Sequence, residues 1–384
     1  MEKTERLYER DAYCASFCST VLACEEHGGV LRAALAATAF YPEDGGQPAD
    51  RGALGGARVV DVHEEDGVIW HTVTAPVRVG ETVQGDVDWA RRFDHMQQHT
   101  GEHILSGVAH EQFGCENVGF GIGEDSVRID FSLPMTDEML ALAEELANGI
   151  VQRNEPVTAE WPDPVRLSHL SYRSKKALEG PVRIVTAGSA DVCACCGTHV
   201  ARTGEVGLVK ITSAQSYKGG TRVTIACGMR ALEDYRRRHD AVHEISVLLS
   251  AKPDETPAAV RRVLDENAAL HAQLAAAENA RFEAEARTCR ENVPALRVCE
   301  GLSGDSVRRF ASSLAARCGL AAVLCRRGDG FSYAVCGAGA AELAARMNAA
   351  LGGKGGGRGE FAQGSVSCTE ESARAFFAAE GFDA

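Results

Sequence analysis

Over the first ninety residues, apolar positions come in short bursts. Ser19-Thr-Val-Leu-Ala-Cys24, residues 30–36, Arg58-Val-Val-Asp-Val62 and Gly67-Val-Ile-Trp-His-Thr-Val73 are separated by glycine and acidic turns. That spacing predicts a small antiparallel β-barrel. The pattern then shifts to helical spacing across residues 97–106. Residues 119–123 and 126–130 predict a hairpin. Leu140, Leu142, Ala143, Leu146, Ile150 and Val151 form one apolar stripe on a helix over 136–154, with Thr136 as N-cap and Asp137 and Glu138 at its positive end. Strands are predicted at 182–185 and 207–211, on either side of a cysteine-rich loop. Thr256-Pro257 opens a further helix as an N-cap followed by a first-turn proline. There Val260, Val263, Asn267, Leu270, Leu274, Ala277 and Ala284 follow heptad steps. Either an antiparallel hairpin with a 236–250 helix or a dimeric coiled coil satisfies that seam. Beyond Pro294 the chain reads strand 296–299, helix 304–318, strand 321–325, strand 331–336, helix 340–351, and then a glycine-rich stretch.

These elements predict an α+β chain in four parts: a small N-terminal antiparallel β-barrel over 1–86, an α/β core over 87–235, a helical spacer over 236–292 and a C-terminal glycine-rich α/β domain over 293–384. Composition narrows the setting. The 384 residues are 45% hydrophobic and 24% charged, ordinary values for a globular protein. No apolar run reaches eighteen residues, so no membrane span is expected. The first ten residues lack a signal peptide's apolar core. Fourteen cysteines without a secretory address point to free thiols in a cytoplasmic setting. A net charge of −14 argues against indiscriminate nucleic-acid binding but leaves room for a local basic track. Arg91-Arg92, residues 173–176, Lys218 with Arg222, residues 236–238, and Lys354 with Arg358 are the candidates.

Two short stretches carry candidate chemistry. In His99-Thr-Gly-Glu-His103 the histidines stand at i and i+4 on one helix face. Cys195-Cys-Gly-Thr-His199 repeats the offset with a thiol and a third imidazole. Three nitrogens and one sulfur suit zinc, one ion per chain, better than calcium or magnesium, which prefer oxygen. Cys193 and Cys196 offer alternative thiolates, so the identity of the sulfur ligand stays open at this point.

Met96-Gln-Gln-His99-Thr-Gly-Glu-His103-Ile-Leu-Ser106 and Cys195-Cys-Gly-Thr-His199-Val resemble the editing domain of alanyl-tRNA synthetase and its free-standing AlaX-type relatives. Thr38-Ala-Phe-Tyr-Pro-Glu-Asp-Gly-Gly-Gln-Pro-Ala-Asp-Arg-Gly52 resembles the same family's glycine-rich motif. The resemblance implies a zinc-containing editing core that hydrolyses the ester of alanine tRNA mischarged with serine or glycine. It also implies that Gln47 lies near the reacting ester and that the Thr38 hydroxyl faces the substrate side chain. Gly352-Gly-Lys-Gly-Gly-Gly-Arg358-Gly-Glu-Phe-Ala-Gln-Gly364 resembles the C-terminal domain of alanyl-tRNA synthetases, a module shared with DHH-type phosphoesterases. The Asp-His-His triplet of those enzymes is absent. Lys354 and Arg358 there, with Lys218 and Arg222, are the RNA-binding candidates, and the spacer or the C-terminal domain is the candidate homodimer contact. Asp44, Glu102 and Cys196 depart from the family's usual glycine, glutamine and glycine. Glu102 completes His-x-x-Glu-His, the inverted zinc-peptidase motif. That peptidase and a zinc-stabilised RNA-binding module without catalysis are the alternatives.

Overall fold

Short strands with one apolar face bury it most simply by curling the sheet onto itself. In the computed structural model, which describes residues 2–174 and 180–383, six strands do so. Ser16–His27, Val30–Leu35, Val68–Val73, Ala57–Glu65, Gly52–Leu54 and Thr82–Val87 pair in that order as a closed antiparallel barrel. Val21, Leu35, Phe40, Leu54, Val62 and Ile69 fill it. The closing strands Gly52–Leu54 and Thr82–Val87 went unforeseen: one has three residues and the other is mostly polar.

The chain divides into two compact units, one up to Val242 and one from His243. In the first, the helix Trp89–Phe113 begins at Asp88, whose side chain accepts from the Arg91 amide, and stops at Gly114 in the left-handed region. Its stretch from His95 to Ala109 is buried throughout. Beside it lie the helix Asp137–Arg153, capped by Thr136, and a four-stranded antiparallel sheet ordered Val209–Tyr217, Gly220–Cys227, Val127–Phe131, Asn117–Ile122. Two glycines let the central helix sit this close to its neighbours. A Cβ on Gly101 would lie 2.3 Å from Cys227 Sγ, and one on Gly107 would lie 2.1 Å from the Ala190 carbonyl oxygen. A smaller sheet pairs Val157–Glu160, Ile184–Ala187 and Asp191–Ala194.

The second unit has the helix Thr256–Thr288 and a five-stranded sheet, in which Ala295–Cys299 runs parallel to Leu320–Arg327 and the other pairs are antiparallel. Alternation along Leu320–Arg327 sends Ala321, Val323 and Cys325 to one core and Ala322 and Leu324 to another, so helices cover both faces. Thr256 does not cap its helix as expected. Its hydroxyl donates back to the Pro253 carbonyl at 2.8 Å. On the same helix the heptad residues Val260, Val263, Leu270 and Leu274 are 41–63% exposed. The glycine-rich stretch holds an edge strand, Lys354–Arg358, paired with Phe361–Val366. Two glycines of this strand pair have a packing reason: Tyr333 Oη would lie 2.7 Å from a Cβ on Gly364 and 3.0 Å from one on Gly355.

Arg92, read from the sequence as a surface cation, is a second correction. It is fully buried and forms an ion pair with buried Asp50. Its remaining donors reach the Ala12 carbonyl at 2.8 Å and the Ala39 carbonyl at 2.6 Å. Removing one partner of such a pair strands a buried charge, whereas an exposed pair such as Arg10–Glu5 is screened by water. Asp50→Ala is therefore expected to lower unfolding free energy by about 3–5 kcal/mol, and Glu5→Ala by much less. Urea unfolding of both variants checks this, and equal losses would contradict it.

Candidate metal centre

The two histidines of the central helix face the loop that follows the Asp191–Ala194 strand. His99, His103, Cys195 and His199 bring their ligand atoms within 4.8 Å of one another. The rings converge, with centroids 5.2 Å apart for His99–His103, 4.6 Å for His99–His199 and 4.7 Å for His103–His199. Cys195 Sγ lies 3.5 Å from Nε2 of both His99 and His199. All three histidines are buried and Cys195 is partly buried.

Each imidazole is oriented through its other nitrogen. His99 Nδ1 meets Gln47 Oε1 at 2.8 Å, His103 Nδ1 meets Asp191 Oδ2 at 2.8 Å and His199 Nδ1 meets Thr100 Oγ1 at 3.1 Å. The Gln47 oxygen also accepts the Thr198 amide, and the Thr100 oxygen accepts the Val200 amide. The Gln47 and Asp191 oxygens only accept, so His99 and His103 carry a proton on Nδ1 and turn Nε2 inward, as metal-ligating histidines require, while the Thr100 hydroxyl holds the orientation of His199. Arg173 holds Asp191 at 2.7 and 2.8 Å. Arg183 donates to the carbonyls of Cys195 at 3.0 Å and Gly197 at 2.9 Å, which fixes the loop. Gly197 must be bare: a Cβ there would lie 2.2 Å from His99 Cε1.

Electrostatics agree with a cation site. Burial alone would raise the Cys195 thiol, but His99 and His103 hold it well below its ordinary range. Burial alone would lower His103, yet Cys195 and Asp191 hold it well above. Burial pushes His199 down to about 3, which keeps it neutral. A thiolate facing imidazoles is the donor set a divalent ion takes up, releasing protons as it binds. A second trio, His103, Asp191 and Cys193, also converges. It fits a metal poorly, because burial pushes the Cys193 thiol up to about 11 and the Asp191 carboxylate is taken by Arg173. Cys196 is exposed and lies outside both groups, so the sulfur in the cluster is that of Cys195.

A cavity of about 270 Å³ opens onto the cluster. Its wall includes His99, Glu102, His103 and Cys195, with Asp44 and Trp161 also lining it. Gln47 and Thr38, expected at the substrate, are not on that wall. Gln47 is fully buried, its Nε2 donating to Thr198 Oγ1 at 2.9 Å while its oxygen holds His99, so it positions a ligand. Thr38 is fully buried within the barrel. His71 gives its Nδ1 proton to the Ala33 carbonyl, and burial drops its pKa to about 4, so its Nε2 accepts the Thr38 hydroxyl at 2.8 Å. Thr38 Oγ1 in turn accepts the Phe40 amide at 3.1 Å. Gly45-Gly46 forms a tight turn between Asp44 and Gln47, in which a Cβ on Gly46 would lie 2.7 Å from the Phe120 carbonyl oxygen. Phe120 stacks on His99.

Among the RNA-binding candidates, Arg222 is compensated by Asp130 at 2.6 and 2.8 Å and lies over the Tyr217 ring. Lys218, at the turn of the same hairpin, and Lys354 and Arg358 are exposed. In the 173–176 cluster, Arg173 is spent on Asp191, while Lys175 and Lys176 lie outside the described residues.

Residues 182–224, which hold Cys195 and His199, match the model of the threonyl and alanyl tRNA synthetase second additional domain. Residues 15–91 match that of the class II (A) tRNA synthetases. The chain is 30% identical over 269 residues to the alanyl-tRNA editing protein AlaX-L of Pyrococcus horikoshii, a match covering 67% of this chain and 66% of that protein. This chain belongs to the alanyl-tRNA editing family. Two alanine–tRNA ligases extend the match. That of Halobacterium salinarum is 36% identical over 284 residues, covering 69% of this chain but only 30% of the ligase. That of Pyrococcus abyssi is 31% identical over 391 residues, covering 95% of this chain and 42% of the ligase. This member of the editing family thus spans less than half the length of the ligases it matches.

One metal ion per chain is expected in the purified protein. His99→Ala, His199→Ala and Cys195→Ala should lose it, and Cys196→Ala should keep it. Asp191→Asn, which loosens His103 and the Arg173 contact behind it, should weaken metal affinity about 10- to 100-fold. Metal analysis and chelator competition check this, and full occupancy in both His99→Ala and His199→Ala would contradict it.

Proposed function

We propose that this chain is an aminoacyl-tRNA deacylase that hydrolyses alanine tRNA mischarged with serine or glycine, using one zinc ion held by His99, His103, Cys195 and His199. The observation that carries the reading is the convergence of three oriented Nε2 atoms on the Cys195 sulfur in a chain of this family. A three-nitrogen, one-sulfur set is a zinc set. Zinc there supplies Lewis acidity toward the ester carbonyl or a bound water. The chain's own groups do the rest. Gln47 and Asp191 hold His99 and His103 in one tautomer and orientation, and Thr100 orients His199. Glu102 gives the cavity a buried carboxylate anchored by Ser106 and Asn117. Hydrolysis forms a bond from a water oxygen to the carbonyl carbon and breaks the bond to the ribose oxygen; one proton of that water ends on the ribose oxygen, and the free amino acid and the ribose hydroxyl leave.

Selectivity asks for a group that rewards serine's hydroxyl, because a pocket that selects by size cannot reject the smaller alanine. We assign that task to Thr38. The assignment rests on the family resemblance, since Thr38 is buried off the cavity wall; its proton is committed to His71 and one lone pair to Phe40, which leaves one lone pair for a serine O–H that reaches it and nothing for an alanine methyl. Burial keeps water from competing for it.

In this reading 1–86 is the barrel that carries Thr38 and Gln47, 87–235 the zinc-binding editing core, 236–292 a helical spacer and 293–384 a domain that grips the RNA. Exposed Lys354 and Arg358 on the edge strand, and Lys218 on its hairpin, meet phosphates, while the paired Arg222 contributes less. The exposed heptad residues of Thr256–Thr288 support a homodimer through the spacer. All fourteen cysteines are free thiols, and no helix among the described residues is long and apolar enough to cross a membrane, in keeping with work on tRNA in the cytoplasm.

The protein should release serine, and more slowly glycine, from mischarged alanine tRNA, spare Ala-tRNA(Ala), and leave casein intact. Thr38→Val should lower the ratio of kcat/KM for seryl- over alanyl-tRNA(Ala) by roughly 5- to 150-fold, the cost of leaving one buried hydroxyl unpaired. Metal content should not change. Casein cleavage would favour the peptidase, and metal-loaded protein inert on every ester would leave only an RNA-binding module.

A further inference from the structure

Trp161 has no part in the metal cluster or its supporting shell, yet it lines the same cavity and is 49% exposed. Indoles usually find cover in a folded chain. Strand register explains its position. Glu160 pairs with Ile184, and Ile184 pairs with Ala194. The residues just beyond that row, Trp161, Arg183 and Cys195, therefore leave the same end of the three-stranded sheet. Two strand spacings separate Trp161 from Cys195, about 10 Å. That spacing leaves room for a ribose between an ester at the cluster and a base at the indole. Arg183, between them, is spent on the carbonyls of Cys195 and Gly197, so the middle of the row is a rigid spacer.

Size points the same way. A cavity of about 270 Å³ is below the roughly 300–1,000 Å³ of pockets that enclose a whole small ligand. It holds the amino acid and its ester near the cluster, while the base must lie at the rim. An exposed aromatic face there is what a single-stranded base stacks on, without any need to read its edges.

From this we infer that Trp161 is the stacking platform for the terminal adenosine of the tRNA, the nucleoside that carries the ester. The contact binds and aligns substrate without touching the reacting atoms, and it serves every amino acid on that end equally. It rests on the editing reading above, and it adds a substrate-binding residue to a part of the cavity wall that the metal site does not explain.

The test uses the full-length protein with zinc bound. Trp161→Ala should raise KM for seryl-tRNA(Ala) by roughly 5- to 150-fold, the equivalent of about 1–3 kcal/mol for one stacked base, with kcat little changed. Trp161→Phe should recover most of the loss. Hydrolysis of serine methyl ester, which has no base, should be the same in all three proteins. Adenosine 5′-monophosphate, but not ribose 5-phosphate, should quench indole fluorescence saturably in the parent, and the quenching should vanish in Trp161→Ala. An unchanged KM in Trp161→Ala, or an equal loss on the methyl ester, overturns the inference. If the parent hydrolyses neither ester, the editing reading fails and the fluorescence titration decides alone: saturable quenching that depends on Trp161 sustains the aromatic site, and its absence overturns it.

Discussion

The helix Trp89–Phe113 buries a run of polar side chains where water cannot serve them, and the partners those groups require determine how the first unit packs. An unpaired buried donor or acceptor costs about 1–3 kcal/mol, so each becomes a demand on some distant segment. Gln98 meets both the amide and the carbonyl of Cys227, which aligns the helix with the Gly220–Cys227 strand. Thr100 takes the Val200 amide and His199, which docks the cysteine loop. His99 takes Gln47, and Arg92 takes Asp50 and the Ala39 carbonyl, which together fasten both ends of the loop between Thr38 and Gly52. A helix that looks too polar for a core is thereby the element that gathers the chain.

The metal centre is the most demanding part of that arrangement. Its ligands come from two segments about ninety residues apart, and each histidine's second nitrogen is held from a different segment: His99 by Gln47, His103 by Asp191 and His199 by Thr100 on the central helix. Bare backbone makes the convergence sterically possible: Gly197 gives room to His99, Gly101 to Cys227 and Gly107 to Ala190. The departures from the family's usual residues fall where they are tolerated. Cys196 replaces glycine at an exposed position, next to the glycine that must stay. Glu102 replaces glutamine and gains Ser106 and Asn117 as donors. An ion bound at the cluster stabilises the fold and equips the cavity at once, because its ligands exist as a set only when the chain is folded.

Much of this was legible in the sequence. The offsets of His99/His103 and Cys195/His199 are local patterns, and the helices Gly304–Cys318 and Ala340–Leu351 follow from apolar periodicity alone. The supporting shell was not, because its contacts cross 52 residues from Gln47 to His99, 88 from His103 to Asp191 and 99 from Thr100 to His199. Nothing in the spacing marks them, although Thr100 already stood between the two histidines. The Lys354–Arg358 strand was hidden for a different reason. Glycine has a weak intrinsic claim on a strand, and here Gly355 and Gly364 leave room above Tyr333. Arg92 shows the limit of charge counting, since its burial is visible only once Asp50 is seen opposite it.

The central claim is that one ion, held by these four side chains, makes the chain a deacylase. The most direct measurement is the rate of serine release from seryl-tRNA(Ala) while zinc is returned stepwise to protein stripped by a chelator. The account predicts a rate that climbs in proportion to zinc and levels off at one equivalent per chain, with no such rise in His199→Ala. A full rate from stripped protein, or no activity after the cluster has taken up its ion, would contradict it.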